Sequence, residues 1–211
     1  MSSLTWHNDT PCITALLICR SNYAFGRFFI GGITMKIFIN PGHCVGLDSG
    51  ACGYGLQEAQ VALNIGYLVE KYLRDVGYDV KVFQADDLAE IVDVSNYWDS
   101  DIFVSIHCNA YNGIACGTTT IFYEYSTEGA NLAQAIQNQI VQRLGTVDRG
   151  ITDKIAGGYD AYVVKHTHCT ACLVETAFID NPADNILLAD NQDDFARAIV
   201  CGITDFVAGV K

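Results

Sequence analysis

Two histidines and two glutamates of this 211-residue sequence are of types that together can hold a metal and cut an amide: His43, Glu58, His107 and Glu175. Two imidazoles and one carboxylate suit a borderline cation such as zinc. Three protein ligands leave a fourth tetrahedral position open for water, which separates a catalytic from a structural site. A second carboxylate outside that shell can take the proton of the attacking water and return it to a leaving amine. The chemistry implied is amide hydrolysis. Each residue also has an ordinary reading. A histidine at a strand end commonly serves as a hydrogen-bonded loop residue, and a glutamate in the first turn of a helix complements the macrodipole. Glu175 is the most informative of the four, because it interrupts the apolar run "ACLVETAF", where an unpaired carboxylate is costly. Spread along the chain, the four make no local motif of the HExxH kind, so spacing alone leaves a metal hydrolase as one reading among others.

The elements that must position them are those of an α/β domain. Short apolar runs predict strands over Lys36–Asn40, Asp79–Gln84, Ile102–Ile106, Thr118–Tyr125, Ala161–Val164 and Ala171–Thr176. Between the first two, apolar residues at Ala62, Ile65, Val69, Tyr72 and Val76 recur at spacings of three and four. They predict an amphipathic helix over Leu56–Asp75 that Gly77 stops. Further helices are predicted over Leu88–Trp98, Glu128–Leu144 and Asp193–Val207. The alternation predicts a single-domain, mainly parallel twisted sheet of about six strands with helices on both faces. Open parallel sheets collect ligands beyond the carboxyl ends of their strands. His43 and His107 follow two such ends, Glu175 lies close to a third, and Glu58 lies in the first turn of the amphipathic helix, so that the loop after His43 returns its carboxylate to the same edge.

Composition narrows the function classes. Half the residues are hydrophobic and 17% are charged, with 12 basic against 24 acidic side chains and a formal net charge of −12. That balance repels phosphate backbones and anionic lipid, so no nucleic-acid partner is expected. The nine cysteines form an odd, scattered set that makes a poor disulfide framework. Cys169 and Cys172 form a CxxC, but it runs straight into a strand-like segment, whereas a redox pair is expected at a helix N-terminus. The apolar run Ile13–Cys19 has nothing basic before it and is followed by Arg20 and Arg27. It matches neither a secretory signal nor a membrane span of about 20 apolar residues. Met35 opens the clean strand "MKIFINPGH", so residues 1–34 are expected to be an N-terminal extension, possible upstream read-through, and 35–211 the catalytic domain. Synthesis in the cytoplasm is expected, so that action outside it would follow release or non-standard export.

At these residues the sequence resembles the zinc-dependent N-acetylmuramoyl-L-alanine amidases of the amidase 3 family. "IFINPGH" is similar to the family's first strand and metal histidine, and "GYGLQEAQVALNIGYLVEKYLRDVGYDV" to the helix that opens with its metal glutamate. "DIFVSIHCNAYN" is similar to the strand ending in its second metal histidine, "ACLVETAFIDNPADNILL" to the block with its catalytic glutamate, and "DDFARAIVCGITDFV" to its closing helix. The blocks follow the family's order from Met35 to Val207. The resemblance implies Zn2+ held by His43, Glu58 and His107, and Glu175 as the catalytic carboxylate. It implies peptidoglycan, a muramyl peptide, as substrate, cut at the amide between the lactyl group of N-acetylmuramic acid and L-alanine of the stem peptide, whether in wall remodelling or in lysis by a phage-type lysin. A monomer is expected.

The sequence departs from the family at Cys108, where a small residue is common, at Thr170–Ala171, where a proline often stands, and in the helix before the second histidine, which lacks the usual arginine. Strand alternation predicts that Cys108 faces the core and not the metal. Alternatives are a zinc peptidase or carboxypeptidase acting on wall peptides, a non-catalytic peptidoglycan-binding module, and a thiol oxidoreductase built on Cys169 and Cys172.

Overall fold

Hydrophobic residues on alternate positions of the strands bury both faces of one sheet. The structure, a computed structural model, describes residues 34–155, 158 and 161–210. The elements below belong to one unit, Met35–Lys211. The extension expected over 1–34 lies, apart from Thr34, outside the described residues.

The strands are β1 (Lys36–Pro41), β2 (Cys52–Gly53), β3 (Leu56–Gln57), β4 (Asp79–Val82), β5 (Ile102–Asn109), β6 (Thr118–Phe122), β7 (Asp148–Thr152) and β8 (Thr170–Phe178). The helices are α1 (Glu58–Val76), α2 (Leu88–Trp98), α3 (Thr127–Leu144), α4 (Tyr162–His166), α5 (Pro182–Asp190) and α6 (Gln192–Ala208). Six strands form one sheet in the order β4-β1-β5-β8-β6-β7, and β2 and β3 make a separate hairpin. Every pairing in the large sheet is parallel except β6 with β8. The mixed α/β architecture expected from the alternation is the one observed.

Successive side chains of a strand leave opposite faces. Ile37, Ile39, Ile102, Val104, Ile106, Cys172 and Val174 accordingly pack with the buried sides of α1, α3 and α6. Phe38, Phe103, Ala171 and Leu173 pack on the other face with Ile91 and Val92 of α2 and Val163 and Val164 of α4. Cys108 belongs to the first cluster and is 3% exposed, as alternation predicted. Gly77 ends α1 in the left-handed conformation, with φ 106°, and its N–H reaches the carbonyls of Arg74 and Leu73.

Three local readings are corrected. Ala161–Val164, expected as a strand, lies at and inside the short helix α4. The Lys165 N–H reaches the Ala161 carbonyl at 3.0 Å, and Val163 and Val164 bury against the second face. A four-residue apolar run serves either period, and here the helix lets adjacent valines face one cluster. β7 was not expected: "DRGIT" is a polar edge strand with a glycine in it. α5 was also not expected, although Asn181 caps it through Ala183 and Asp184 N–H groups and Pro182 fills its first position.

α3 and α6 approach so closely that a Cβ on Gly202 would lie 2.4 Å from the Ile136 Cα. Backbone, not a movable side chain, is in the way. Gly202→Val is expected to destabilise the fold by about 3 kcal/mol, seen in a urea titration as a lower midpoint with an unchanged slope.

Candidate metal centre

The chain leaves β1 through Pro41 and Gly42, whose N–H donates to the Ile106 carbonyl at 2.8 Å. His43 then takes a left-handed φ of 57°, a conformation uncommon for a residue with a Cβ and concentrated at functional sites. A tight turn follows. Reciprocal hydrogen bonds between Cys44 and Asp48, at 3.0 and 2.8 Å, close it. The turn brings Asp48 Oδ2 to 2.6 Å from His43 Nδ1, and the other Asp48 oxygen accepts the Gly50 N–H at 2.9 Å. The β2–β3 hairpin returns the chain to α1, where the Glu58 N–H donates to Ala51 and the Ala59 N–H to Ser49.

Glu58, the first residue of α1, is 3% exposed. Its Oε1 accepts the Cys108 N–H at 3.0 Å and meets His107 Nδ1 at 2.9 Å. Its Oε2 accepts the Ala51 N–H at 2.9 Å and meets His43 Nε2 at 3.0 Å. One ligating atom from each of His43, Glu58 and His107 lies within 4.8 Å of the other two. Two imidazole nitrogens and one carboxylate oxygen, gathered from β1, α1 and β5, are a donor set that fits a divalent cation such as zinc. The two imidazole rings stand 5.2 Å apart at 72°.

The backbone leaves room for these rings at two glycines. A Cβ on Gly42 would lie 2.3 Å from His107 Cε1, and one on Gly50 would lie 2.5 Å from His43 Cδ2 and 2.7 Å from Glu58 Oε2. Hydrogen bonding to Glu58 raises His43 to about 9 against the opposing effect of burial, and Asp48 adds to the rise. Burial disfavours the Glu58 carboxylate, but hydrogen bonds from His107 and His43 hold its carboxyl well below the usual range.

Glu175 lies on β8 as the Cα partner of His107 on β5, so the two side chains leave the same face side by side. Its Oε2 is buried without a hydrogen-bond partner. Burial raises it to about 7, with His107 opposing and Glu58 reinforcing. Glu175 also lines a pocket of about 230 Å³. All four residues singled out in the sequence therefore meet at one end of the sheet. Those missed are Asp48, which holds the far nitrogen of His43, and Thr176, whose hydroxyl donates to the His107 carbonyl at 2.8 Å. Asp48 has one signal, an acid five residues after a histidine. Cys169 and Cys172 pack with different clusters, on opposite faces of the sheet. Burial pushes the Cys169 thiol up to about 12 and raises Cys172 as well, the reverse of a reactive thiolate.

The model of the family described as N-acetylmuramoyl-L-alanine amidase matches residues 37–205. The uncharacterized protein YqiI of Bacillus subtilis is 35% identical over 179 residues, covering 81% of this chain and 84% of that protein. The N-acetylmuramoyl-L-alanine amidase LytC of Bacillus subtilis is 36% identical over 179 residues, covering 81% of this chain and 35% of LytC. Among solved structures, the amidase AmiC2 of Nostoc punctiforme superposes with a TM-score of 0.75 at 30% identity, over 82% of this chain and 97% of that one.

Replacing His43, Glu58 or His107 by Ala is expected to remove most of the bound metal. Asp48→Ala is expected to keep the site and weaken its metal affinity by about ten- to a hundredfold, the usual effect of losing the partner that orients a ligand histidine. Competition against a chromogenic chelator reads both.

Proposed function

The chain belongs to the N-acetylmuramoyl-L-alanine amidase family, and on that premise we propose that it hydrolyses the amide between the lactyl group of N-acetylmuramic acid and the L-alanine of peptidoglycan stem peptides, with zinc held by His43, Glu58 and His107 and with Glu175 moving the proton. The observation that carries this reading is the unpartnered, buried Oε2 of Glu175 beside the convergent His43, Glu58 and His107. A lone buried carboxyl without a partner is costly to keep, and proton transfer gives it a use.

Bound there, zinc supplies Lewis acidity to the scissile carbonyl and acidity to water. The chain's own residues do the rest. Asp48 fixes the His43 ring through Nδ1, leaving Nε2 turned towards Glu58 and the shared centre. The Ala51 and Cys108 N–H groups hold the Glu58 carboxylate in place, and the hydrogen bonds from His107 and His43 keep it ionised. Glu175, raised by burial to about 7, is suited to accept a proton from water and to release it again near neutral pH. The second half of that transfer matters most for an amide, because its nitrogen leaves as an amine only after it is protonated. Glu175 projects from the same face as His107, which supports a proton carrier that stands beside the proposed ligands and is not one of them.

Glu175→Gln keeps the size and shape of the side chain and removes its proton-accepting group. It is expected to lower turnover on purified sacculi at least about a hundredfold while leaving zinc content unchanged. Near-normal turnover would overturn the role. Mass analysis of the fragments tests the bond cut, since an amidase frees a stem peptide with an L-alanine amine and a carboxypeptidase frees a C-terminal residue.

A further inference from the structure

The pocket beside Glu175 has a cationic wall. Thr119 of β6 is the Cα partner of Glu175, so both side chains leave one face of the sheet. Between the pairs Thr118–Asp148 and Thr120–Ile151, β7 carries one residue more than β6, and Gly150 takes a φ of 75° there. Such a bulge re-aims side chains at the rim of a site. It sets Arg149 opposite Thr119, where Arg149 lines the pocket together with Asn109, Lys154 and Glu175.

The Arg149 guanidinium is held from behind. Its carbon lies 5.1 Å from the centre of the Phe178 ring, and Nη1 donates to the Cys116 carbonyl at 3.4 Å. Those contacts use one of its five donors. Among the described residues it pairs with no carboxylate, although acids outnumber bases two to one in this chain. Lys154, on the same wall, lies 3.5 Å from Glu124. A planar guanidinium positioned this way presents its open edge for two-point recognition of a carboxylate.

The pocket's volume of about 230 Å³ falls below the roughly 300–1,000 Å³ of sites that enclose larger ligands. It has room for a residue or two of a peptide. Resting on the amidase reading, we propose that Arg149 is a specificity residue that binds the free α-carboxylate of the stem-peptide residue following L-alanine. In a stem whose second residue is a γ-linked glutamate, that carboxylate stands off the main chain and is the first anionic group past the scissile amide.

The test uses two muramyl tripeptides that differ only in carrying an α-carboxylate or an α-carboxamide on the second residue. Wild type is expected to favour the acid by about tenfold in kcat/KM, expressed in KM, the worth of one partly exposed charge-assisted hydrogen bond. The preference should shrink as salt is raised. Arg149→Gln should abolish the preference without changing metal content, and Arg149→Lys should retain part of it. A variant that keeps the acid preference, or that falls equally on both substrates, would overturn the assignment, because loss of packing on Phe178 cannot tell acid from amide. Calorimetric titration of the corresponding free tripeptides reads binding without turnover. Acid-selective, Arg149-dependent binding without cleavage would sink the amidase reading and uphold the Arg149 assignment, whereas equal binding of acid and amide would overturn the assignment whatever the turnover.

Discussion

The site depends on one buried carboxylate. Glu58 is almost sealed from solvent, and an uncompensated charge there would cost several kcal/mol. Both oxygens are answered, each by one backbone N–H and one imidazole. The donors come from the residue just before the β2–β3 hairpin, the end of β5 and the turn after β1, so three separate segments must arrive together for the carboxylate to be buried at all. The glycines at 42 and 50 belong to the same constraint. Each is a place where a Cβ would strike a ligand ring, and at Gly50 also the carboxylate itself. The metal binding proposed for His43, Glu58 and His107 would thereby be linked to local folding of this end of the sheet through one set of contacts.

Much of this was legible because the ligand residues sit where periodicity changes. Strand runs that stop at His43 and His107, and a helical run with Glu58 in its first turn, are visible without knowledge of tertiary contacts. Glu175 was legible for a different reason, its charge inside an apolar strand. What failed was local and short. The run at 161–164 fits a strand or a helix equally well, and only the packing of Val163 and Val164 against one cluster decides between them. β7 hides because an edge strand needs no apolar alternation, and its glycine reads as a turn although it forms a bulge. α5 carried readable cap chemistry at Asn181 and Pro182, but in nine residues its apolar side chains form no one-sided stripe that would announce a helix.

Asp48 and Arg149 were illegible for a third reason. Arg149 stands out by neither type nor spacing, Asp48 only as an acid five residues after a histidine, and each acquires its role from one distance or one register shift. Asp48 matters because a turn folds it back to 2.6 Å from His43. Arg149 matters because β7 bulges opposite Thr119 and because Phe178, distant along the chain, supplies the ring behind it. Residues that orient or select depend on contacts that a single sequence does not display, whereas residues that bind metal are limited to a few types and can be searched for.

The crevice rule for parallel sheets accounts for the metal ligands and does not account for the pocket. β1, β5 and β8 run in parallel and deliver their ends to one edge, but β6 reverses against β8. On the face that carries Glu175, α2 and α4 pack over β1, β5 and β8, while β6 and β7 contribute pocket wall through Thr119, Ile121, Arg149 and Thr152. The covered half of that face desolvates Glu175 from one side and the open half admits a ligand from the other. Burial that raises a carboxyl to about 7 ordinarily also keeps substrate away. Here a strand reversal separates the two requirements, so that a residue placed before the end of its strand can be both dry and within reach.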